Sequence, residues 1–466
     1  MIATSRRDIR PSFWRSEMQA AQVQELFEAV FPVEFIESEA TRLGVQLRQR
    51  HLRVAELMVS LVLMGGSPEA GRISAAVRDY CNRGNPKVVR SASSKWFDEE
   101  LLTLVTTLSA RAREYVSGMP LHLPGILAGR RDWRAFDSTT VKLDKRLLEV
   151  WPGTGDYAAL KVHKELSLGC ENVVDYHISP AKEHDAPHLC IDEGRRGTGL
   201  IVDLGYVSHK LFRSCEAHDV HLVVRLKEGW KLRLDDSVTA GESIAWLADE
   251  DQIDLLAAGD CTLRDLPEKE MDIDVRFGPE DDPIHARLIV FEAKGGWGYL
   301  LTNVPRETHT GAEVAMLYRL RWSVELQNKL AKTGCQLDEI TARTAVPAEI
   351  LVHAAMIASI LANAVAHLEH LDQGLVGETC RKMKSPPLHA MLVWKCITTA
   401  TYNLATLLVA PEDTSMTWEQ LAQFLRHGGQ DPNWKGKPSA IDQVKGRTAS
   451  GRAWKDLAGR RRRAVA

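Results

Sequence analysis

Hydrophobic and polar residues follow a helical period over about the first 120 residues. Apolar positions recur every three to four residues, the spacing of one helix face, in HLRVAELMVSLVLM (51–64), SPEAGRISAAVRDYC (67–81) and EELLTLVTTLSARAREYV (99–116). The Gly- and Pro-containing stretch GMPLHLPG (118–125) then has the composition of a boundary. We therefore predict a helical N-terminal domain over residues 1–125.

After this boundary the pattern is typical of strands. Alternating or compact apolar runs occur in WRAFDSTTVKL (133–143), ALKVHKELSLGC (159–170), NVVDYHISPA (172–181), TGLIVDLGY (198–206) and HLVVRLKEG (221–229). Short helical stretches separate the third, fourth and fifth of these runs. The order of three strands, helix, strand, helix and strand predicts an α/β fold, a mixed sheet with helices packed on it.

Residues 231–310 interrupt this order and are predicted to be a mostly β insertion within a catalytic domain of residues 126–340. The strand signals there are MDIDVRFG (271–278), HARLIVFEA (285–293) and GGWGYLLTNVP (295–305). A helix is predicted from residue 311 to residue 332. Long apolar helical patterns (347–371 and 388–409) and a short one (418–428) then predict a helical C-terminal region over residues 341–466.

The composition, 44% hydrophobic and 26% charged over 466 residues, is that of a soluble globular protein with several domains. No apolar run reaches the roughly 18 residues that a membrane span needs, and the N-terminus lacks the apolar core of a secretory signal. The eight cysteines include no C-x-x-C pair, so we expect free thiols in a reducing, cytoplasmic setting with no membrane partner. A proline between His184 and His188 argues against a structural zinc site there.

Charge is distributed unevenly although the net charge is only −3. Residues 231–282 contain sixteen acidic and five basic side chains, a net of −11, whereas residues 431–463 contain ten basic and three acidic ones, a net of +7. A basic terminal segment of this kind is typical of contact with a polyanion. A solvated terminus without a partner explains it equally well.

Two aspartates occupy unusual places in the predicted strands. Asp137 lies in the middle of an otherwise apolar, β-branched strand, and Asp203 ends a buried one. A lone buried carboxylate is costly, and it would be explained by a turn or a backbone amide contact. Two such acids with a third on a helix would instead repel one another and raise one another's pKa values. A divalent cation relieves that repulsion. Oxygen ligands favour Mg²⁺ or Mn²⁺, and two ions bridged by one aspartate suit in-line phosphoryl transfer.

The third acid is indicated by the segment YRLRWSVELQNKLAK (318–332). Its Tyr318, Arg321, Glu325 and Lys332 follow one another at steps of three, four and seven residues. At 3.6 residues per turn these steps place all four side chains on one stripe of a helix. A phenol, a guanidinium, a carboxylate and an ammonium on one stripe indicate a functional surface.

This helix pattern resembles the signature of the DDE transposases of the insertion-sequence-four family. Further segments resemble the family in order along the chain, namely AFDSTTVKL (135–143), LIVDLGYVSHKLF (200–212), HLVVRLKEG (221–229) and YLLTNVP (299–305). The resemblance covers about residues 130–335. It implies an RNase H-like core with a β insertion between its last strand and the glutamate-bearing helix.

The resemblance also implies an activity and the residues that carry it. Asp137, Asp203 and Glu325 would hold two Mg²⁺ or Mn²⁺ ions for cleavage at transposon ends and for strand transfer into target DNA, as in cut-and-paste transposition. Tyr318, Arg321 and Lys332 would contact the phosphates that flank the cut. The chain departs from the family pattern at Leu204 and at the Leu-Gln-Asn-Lys that follows Glu325.

Other DNA contacts rest on weaker signals. Trp297 could stack on an unpaired base, although a core position in the insertion is the favoured interpretation. Arg90 and Lys95 belong to a basic set that would bind the terminal inverted repeats of the element, or would simply be solvated. A homodimer in the synaptic complex, and a bacterial cytoplasmic location with nucleoid association on DNA, follow from the family alone.

Two alternative functions share the same fold. A nuclease would cut DNA without strand transfer, and a transposase-derived regulator would bind DNA without cutting it. The three acids argue against the regulator, because a protein that only binds DNA has no need of all three.

Overall fold

The computed structural model describes residues 19–45, 52–64, 73–85, 93–235, 256, 258–293, 295–372, 388–430 and 439–445. Helices α1 to α5 span Ala20–Val30, Val33–Leu43, Val54–Leu63, Ile73–Asn82 and Glu99–Ser117. Helices α6 to α8 span His209–Ala217, Gly311–Arg319 and Trp322–Lys329. Helices α9 to α13 span Ala345–Asp372, Ala390–Thr399, Thr401–Val409, Trp418–Gly429 and Ala440–Val444. Strands β1 to β9 span Trp133–Lys142, Ala159–Ser167, Asn172–Pro180, Gly199–Val202, His221–Arg225, Leu232–Leu234, Met271–Phe277, Ile284–Ala293 and Gly296–Thr302.

All nine strands form one sheet in the order β3-β2-β1-β4-β5-β9-β8-β7-β6. Strand β2 is antiparallel to β1 and β3, whereas β1, β4 and β5 run parallel to one another. The predicted mixed sheet with packed helices is therefore confirmed. The helical segment predicted between β3 and β4 consists of two single 3-10 turns, Ala186–His188 and Glu193–Arg195, and a proline lies in the first of them.

The residues predicted as a β insertion extend the same sheet. Strand β9 returns antiparallel beside β5, and β8, β7 and β6 follow it as an antiparallel meander. Strand β7 is buried at every second residue, which agrees with its alternating sequence. The chain then re-enters helix α7 through a capping box, in which Thr310 and Glu313 each bond the backbone amide of the other.

Parallel strands β1 and β4 approach closely at the start of the pair. Gly199 lies opposite Trp133, whose indole is fully buried. A Cβ atom on Gly199 would overlap that ring. The glycine therefore permits the packing that holds the two aspartate-bearing strands in register.

The N-terminal and C-terminal helices share one hydrophobic core. Helix α9 packs against α5 and α3, and one face of β2 and β3 lies on the same core. Because α5 and α9 come from the two regions that the sequence predicts as separate domains, those regions are in direct contact here. The boundaries at residues 125 and 340 themselves stay a prediction.

Helix α9 is unusually apolar. By length and composition Ala345–His370 could cross a membrane, although the sequence predicted no such run, and the bent pair of α10 and α11 passes the same test together. However, 72% of the most apolar stretch of α9 is buried inside the protein. The apolar composition of α9 is thus explained by its place at the centre of the helical core.

The single helix predicted over residues 311–332 is interrupted. Helix α7 ends at Arg319, α8 begins at Trp322, and a π-helical turn, Leu330–Gly334, follows α8. At the junction several backbone amides, those of Leu320, Arg321, Ser323 and Val324, donate to carbonyls three residues back. This tightening keeps Leu317, Leu320 and Val324 fully buried, and it changes which side chains share a face with Glu325.

Candidate active site

The two aspartates lie side by side at adjacent strands. Phe136 of β1 pairs with Val202 of β4 in parallel register. Asp137 and Asp203 each follow one residue later, so their side chains project to the same face of the sheet. That face is covered by α8, because Asn328 donates from Nδ2 to Oδ2 of Asp137 over 2.9 Å. The strand register thus brings together acids that are 66 residues apart in sequence.

Burial raises the pKa of Asp137 to about 6. The Arg321 charge opposes this increase, whereas the negative charges of Asp203 and Glu325 add to it. Asp203 and Glu325 therefore both act electrostatically on Asp137. A carboxylate with a raised pKa in such a cluster is typical of a site that binds a cation.

Arg321 lies between two of the acids. Its Nη2 donates to Oε1 of Glu325 over 2.5 Å, and its Nε is 3.9 Å from Oδ1 of Asp203. The side chains of Asp203 and Glu325 are 41% and 31% exposed, so both remain accessible from solvent. Arg321 was predicted to contact DNA phosphate, and in this structure its guanidinium neutralises the carboxylate cluster.

The other two members of the predicted stripe are placed differently. Tyr318 is half-buried near Arg321, and burial raises the pKa of its phenol to about 12. Lys332 lies in the π-helical turn after α8, and its Nζ is 3.3 Å from Oδ1 of Asp338. The extra residue in that turn rotates Lys332 relative to a regular helix. The structure thus groups Tyr318 and Arg321 with Glu325, whereas Lys332 has a local partner.

The remaining predicted DNA contacts lie elsewhere in the fold. Trp297 is opposite Glu292 at the hairpin end of β8 and β9, where it is partly buried against a hydrophobic core. Lys95 is exposed in the 3-10 turn Ser94–Trp96. Arg90 and the basic residues 460–463 lie outside the described residues. The packing of Trp297 favours the core interpretation over base stacking.

Two residues near Asp137 were missed by sequence reasoning. Asn328 bonds the carboxylate directly, and Lys164 is the cross-strand neighbour of Asp137 on β2. Lys164 is fully buried, which lowers the pKa of its ammonium group to about 7. The sequence did contain a feature that pointed to each residue. Lys164 is a lysine within a predicted strand, and Asn328 is an amide one helical turn after Glu325.

The acids fit divalent metal by their chemistry. Asp137, Asp203 and Glu325 offer hard carboxylate oxygens, the ligand type that Mg²⁺ and Mn²⁺ prefer. The raised pKa of Asp137 and the close approach of Arg321 indicate an excess of negative charge that a cation offsets. The three acids do not form a cluster with all ligand atoms within 4.8 Å of one another, and the Arg321 guanidinium lies between two of them.

Two tighter groups of possible metal ligands occur among the described residues. One consists of His163, His177 and His188, and the other of Glu171, His367 and His370. In the histidine group, His163 bonds Tyr206 and Ser179 at 3.0 Å each, and the rings of His163 and His177 stack at 4.7 Å with planes 12° apart. Lone pairs of stacked rings run parallel and do not converge on an ion.

In the second group a protein cation already bonds the carboxylate. The buried Nζ of Lys445 donates to Oε1 of Glu171 over 2.9 Å. His370 is 3.9 Å from the same oxygen through its Nδ1. Neither of the two groups therefore resembles the set of carboxylate oxygens that Asp137, Asp203 and Glu325 offer.

The histidine group predicts a loss of stability in acid. Burial first, and then the charges of His188 and His177, lower the pKa of His163 to about 3 from the usual 6.5. The unfolded chain therefore binds this proton first as the pH falls below 6.5. Stability that is complete above pH 6.5 should be lost toward pH 3, by up to about 1.4 kcal/mol per pH unit for each such histidine.

Urea unfolding of the whole chain between pH 7.5 and pH 5 measures this loss. We expect His163→Gln to reduce the pH dependence relative to the unchanged protein. An identical slope for both proteins would show that His163 titrates in the same way in the folded and unfolded states.

Comparison with known proteins agrees with this geometry. The family model described as the transposase DDE domain matches residues 129–361, which is half of the chain and includes the three acids. Two transposases of Bacillus thuringiensis subsp. berliner, for the insertion sequence elements IS231B and IS231C, are 28% and 30% identical over 99 residues. That stretch covers 20% of this chain and 21% of each relative.

A solved structure resembles the chain over more of its length. The piggyBac transposase, in a cryo-EM structure of its synaptic complex with hairpin DNA, is 12% identical and gives a TM-score of 0.45 over 90% of this chain and 87% of that one. The sequence resemblance to DDE transposases is confirmed by the family model and by the insertion-sequence relatives. The protein belongs to the DDE transposase family.

Proposed function

We propose that the protein cuts DNA at the ends of an insertion sequence and joins the freed 3′ ends to target DNA. The observation that carries this proposal is the convergence of three acids around Arg321. Asp137 lies within β1, Asp203 directly follows β4 and Glu325 lies within α8. These elements come from three distant parts of the sequence, and the charges of Asp203 and Glu325 both act on the Asp137 carboxylate. That arrangement suits phosphoryl transfer, in which charge must be held in place and no protein nucleophile is needed.

Asp137, Asp203 and Glu325 would hold two Mg²⁺ or Mn²⁺ ions. When bound, such ions would supply Lewis-acid chemistry for the attack of water on a phosphate and for the departure of the 3′ oxygen. The chain itself orients the carboxylates, since β1 and β4 fix the two aspartates and α8 fixes the glutamate. Arg321 stabilises Asp203 and Glu325 in the free protein, and its planar guanidinium suits a phosphate oxygen once DNA is bound.

The strand order supports an RNase H-like core for this chemistry. Five of the nine strands, β3-β2-β1-β4-β5, form one side of the sheet, in which β1, β4 and β5 are parallel and β2 is antiparallel to its neighbour β1. The other four strands, β6 to β9, would be the insertion, because they lie between β5 and the helix pair that carries Glu325. We infer that this extension of the sheet supports DNA near the carboxylates.

The DNA partner would be duplex DNA that carries the terminal inverted repeats, followed by target DNA. Exposed Lys95 and the basic N-terminal region would contribute salt-dependent phosphate contacts. A homodimer would hold two ends together for joining. We place this activity in the bacterial cytoplasm, at the nucleoid.

The experiment that tests the proposal is a cleavage and joining assay. The full chain is incubated with Mg²⁺, a supercoiled target and a labelled duplex that carries the inverted repeats bordering its own reading frame. We expect strand cuts at the repeat ends and labelled joint molecules, and we expect neither product with Glu325→Gln. Cutting by Glu325→Gln at the rate of the unchanged protein would overturn the assignment.

The same assay separates the two alternative functions. A nuclease would yield cut ends without joint molecules at any protein concentration. A DNA-binding regulator would retard the duplex in a gel without cutting it in Mg²⁺ or Mn²⁺. Either result would replace transposition as the function of this chain.

A further inference from the structure

The residues that follow Glu325 depart from the family pattern, and two of them make specific contacts. Gln327 and Asn328 lie in the last turn of α8, where many family members have the second residue of an aromatic or aliphatic pair and then a lysine. Leu326, by contrast, is exposed. The two amide side chains therefore face inward, whereas Leu326 faces solvent.

Gln327 fixes α8 to the central helix α9. Its Nε2 donates to Oδ1 of Asn363 over 3.0 Å, and Nδ2 of Asn363 donates back to Oε1 of Gln327. Asn363 is 5% exposed, and it also donates to the carbonyl of Ser359 over 2.8 Å. Because buried amides need mutual partners, this reciprocal pair sets the rotation of α8 on an otherwise apolar surface.

Asn328 then connects the fixed helix to the first aspartate. It is one turn after Glu325, so both side chains point toward the same face. Its Nδ2 donates to Oδ2 of Asp137 over 2.9 Å. Its Oδ1 is buried and accepts no hydrogen bond within the described part of the chain. One side chain thus joins the helix of the third acid to the strand of the first.

We propose that Asn328 is a positioning residue that holds the Asp137 carboxylate for metal binding. The amide holds the Asp137 carboxylate at Oδ2 in one orientation, and the remaining lone pairs of its oxygens are then fixed in direction for a ligand. An N–H donor also favours the ionised carboxylate, which opposes the effect of burial. This inference rests on the proposed function, because it assumes that Asp137 binds the metal.

The test measures Mn²⁺ affinity of the DNA-free chain by electron paramagnetic resonance of free Mn²⁺. Removal of a hydrogen-bond partner behind a metal ligand typically weakens affinity about 10- to 100-fold. We expect that loss for Asn328→Leu, which keeps the branching at Cγ and removes the donor. Asn403→Leu, the same replacement at a half-buried position of α11, serves as the matched control and should bind Mn²⁺ normally.

Further variants separate this inference from the function on which it rests. Asn328→His keeps an N–H donor, and we expect it to recover part of the affinity lost in Asn328→Leu. If Asp137→Asn binds Mn²⁺ as well as the unchanged chain, the proposed metal site is wrong. If Asp137→Asn loses Mn²⁺ but folded Asn328→Leu binds it normally, the positioning role is wrong and the metal site stands. If Asn328→Leu fails to fold, Asn328→His takes its place in the test. A loss of Mn²⁺ binding by Asn328→His as large as that of Asp137→Asn would then overturn the positioning role of Asn328.

Discussion

Asp203→Asn should slow metal-dependent DNA cleavage at least about a thousandfold. Under the proposed function the change removes one metal ligand and one negative charge, and a thousandfold loss of rate corresponds to about 4 kcal/mol of transition-state stabilisation. Stability should change little, because Asp203 is 41% exposed and its ion pair with Arg321 is long, at 3.9 Å. The rate of end cleavage in Mg²⁺ at saturating protein measures the effect.

The control for this variant is Asp156→Asn, which removes an exposed carboxylate in the loop before β2. It should cleave at the rate of the unchanged protein. Cleavage by Asp203→Asn within a few fold of that rate would contradict the role of Asp203. A strong loss of thermal stability in Asp203→Asn would instead mean that Asp203 has a structural role that its exposure does not suggest.

Arg287→Met should destabilise the fold by about 3 to 5 kcal/mol. Arg287 is 6% exposed on β8, where it forms an ion pair with Asp272 at 2.5 Å and donates to the carbonyls of Val304 and His309. Removal of the buried guanidinium leaves Asp272 with Arg306 alone as its counter-charge and takes this donor from the carbonyls of Val304 and His309, which is a costly change. The two carbonyls belong to the segment that leads into α7, so the loss also loosens the approach to the glutamate-bearing helix.

Arg306→Met is the matched control, because Arg306 pairs with the same Asp272 from a more exposed position. Its side chain is 42% exposed, at 3.1 Å from Asp272 and 2.8 Å from Asp274. Exposed pairs of this kind contribute about 1 kcal/mol or less. Urea unfolding of the two variants measures the difference, and equal losses would show that burial does not govern this ion pair.

The strands could be predicted from sequence because alternation and compact apolar runs depend on local composition. All the strand segments predicted from residue 133 to residue 305 overlap strands of the structure. The sheet order could not be predicted in the same way, since β9 pairs with β5 across more than 70 intervening residues. That pairing depends on side chains that meet only in the folded protein.

The helix that carries the signature shows a different limit of prediction from sequence. Periodicity predicted one stripe, but the tightened turn at Leu320 and Arg321 and the π-helical turn at Lys332 depend on packing against the core. As a result Arg321 reaches Asp203 and Glu325, whereas Lys332 pairs with Asp338. The helix signature and the upstream segments that resemble the family pointed to the three acids. They did not indicate the partners of Arg321 and Lys332.

The histidine group was missed for a related reason. A proline between His184 and His188 argued against metal binding by that pair, but His188 meets His163 and His177 instead. The last two are direct cross-strand neighbours on β2 and β3. Only the strand register, which the sequence does not reveal, brings the three rings together.

We propose that the metal binds at Asp137, Asp203 and Glu325. Cleavage of the backbone by hydroxyl radicals from bound Fe²⁺ tests this site directly, because the radicals cut only near the ion. We expect cuts close to residues 137, 203 and 325, suppressed by excess Mg²⁺ and absent in Asp137→Asn. Cuts confined to the neighbourhood of His163, His177 and His188 would contradict it.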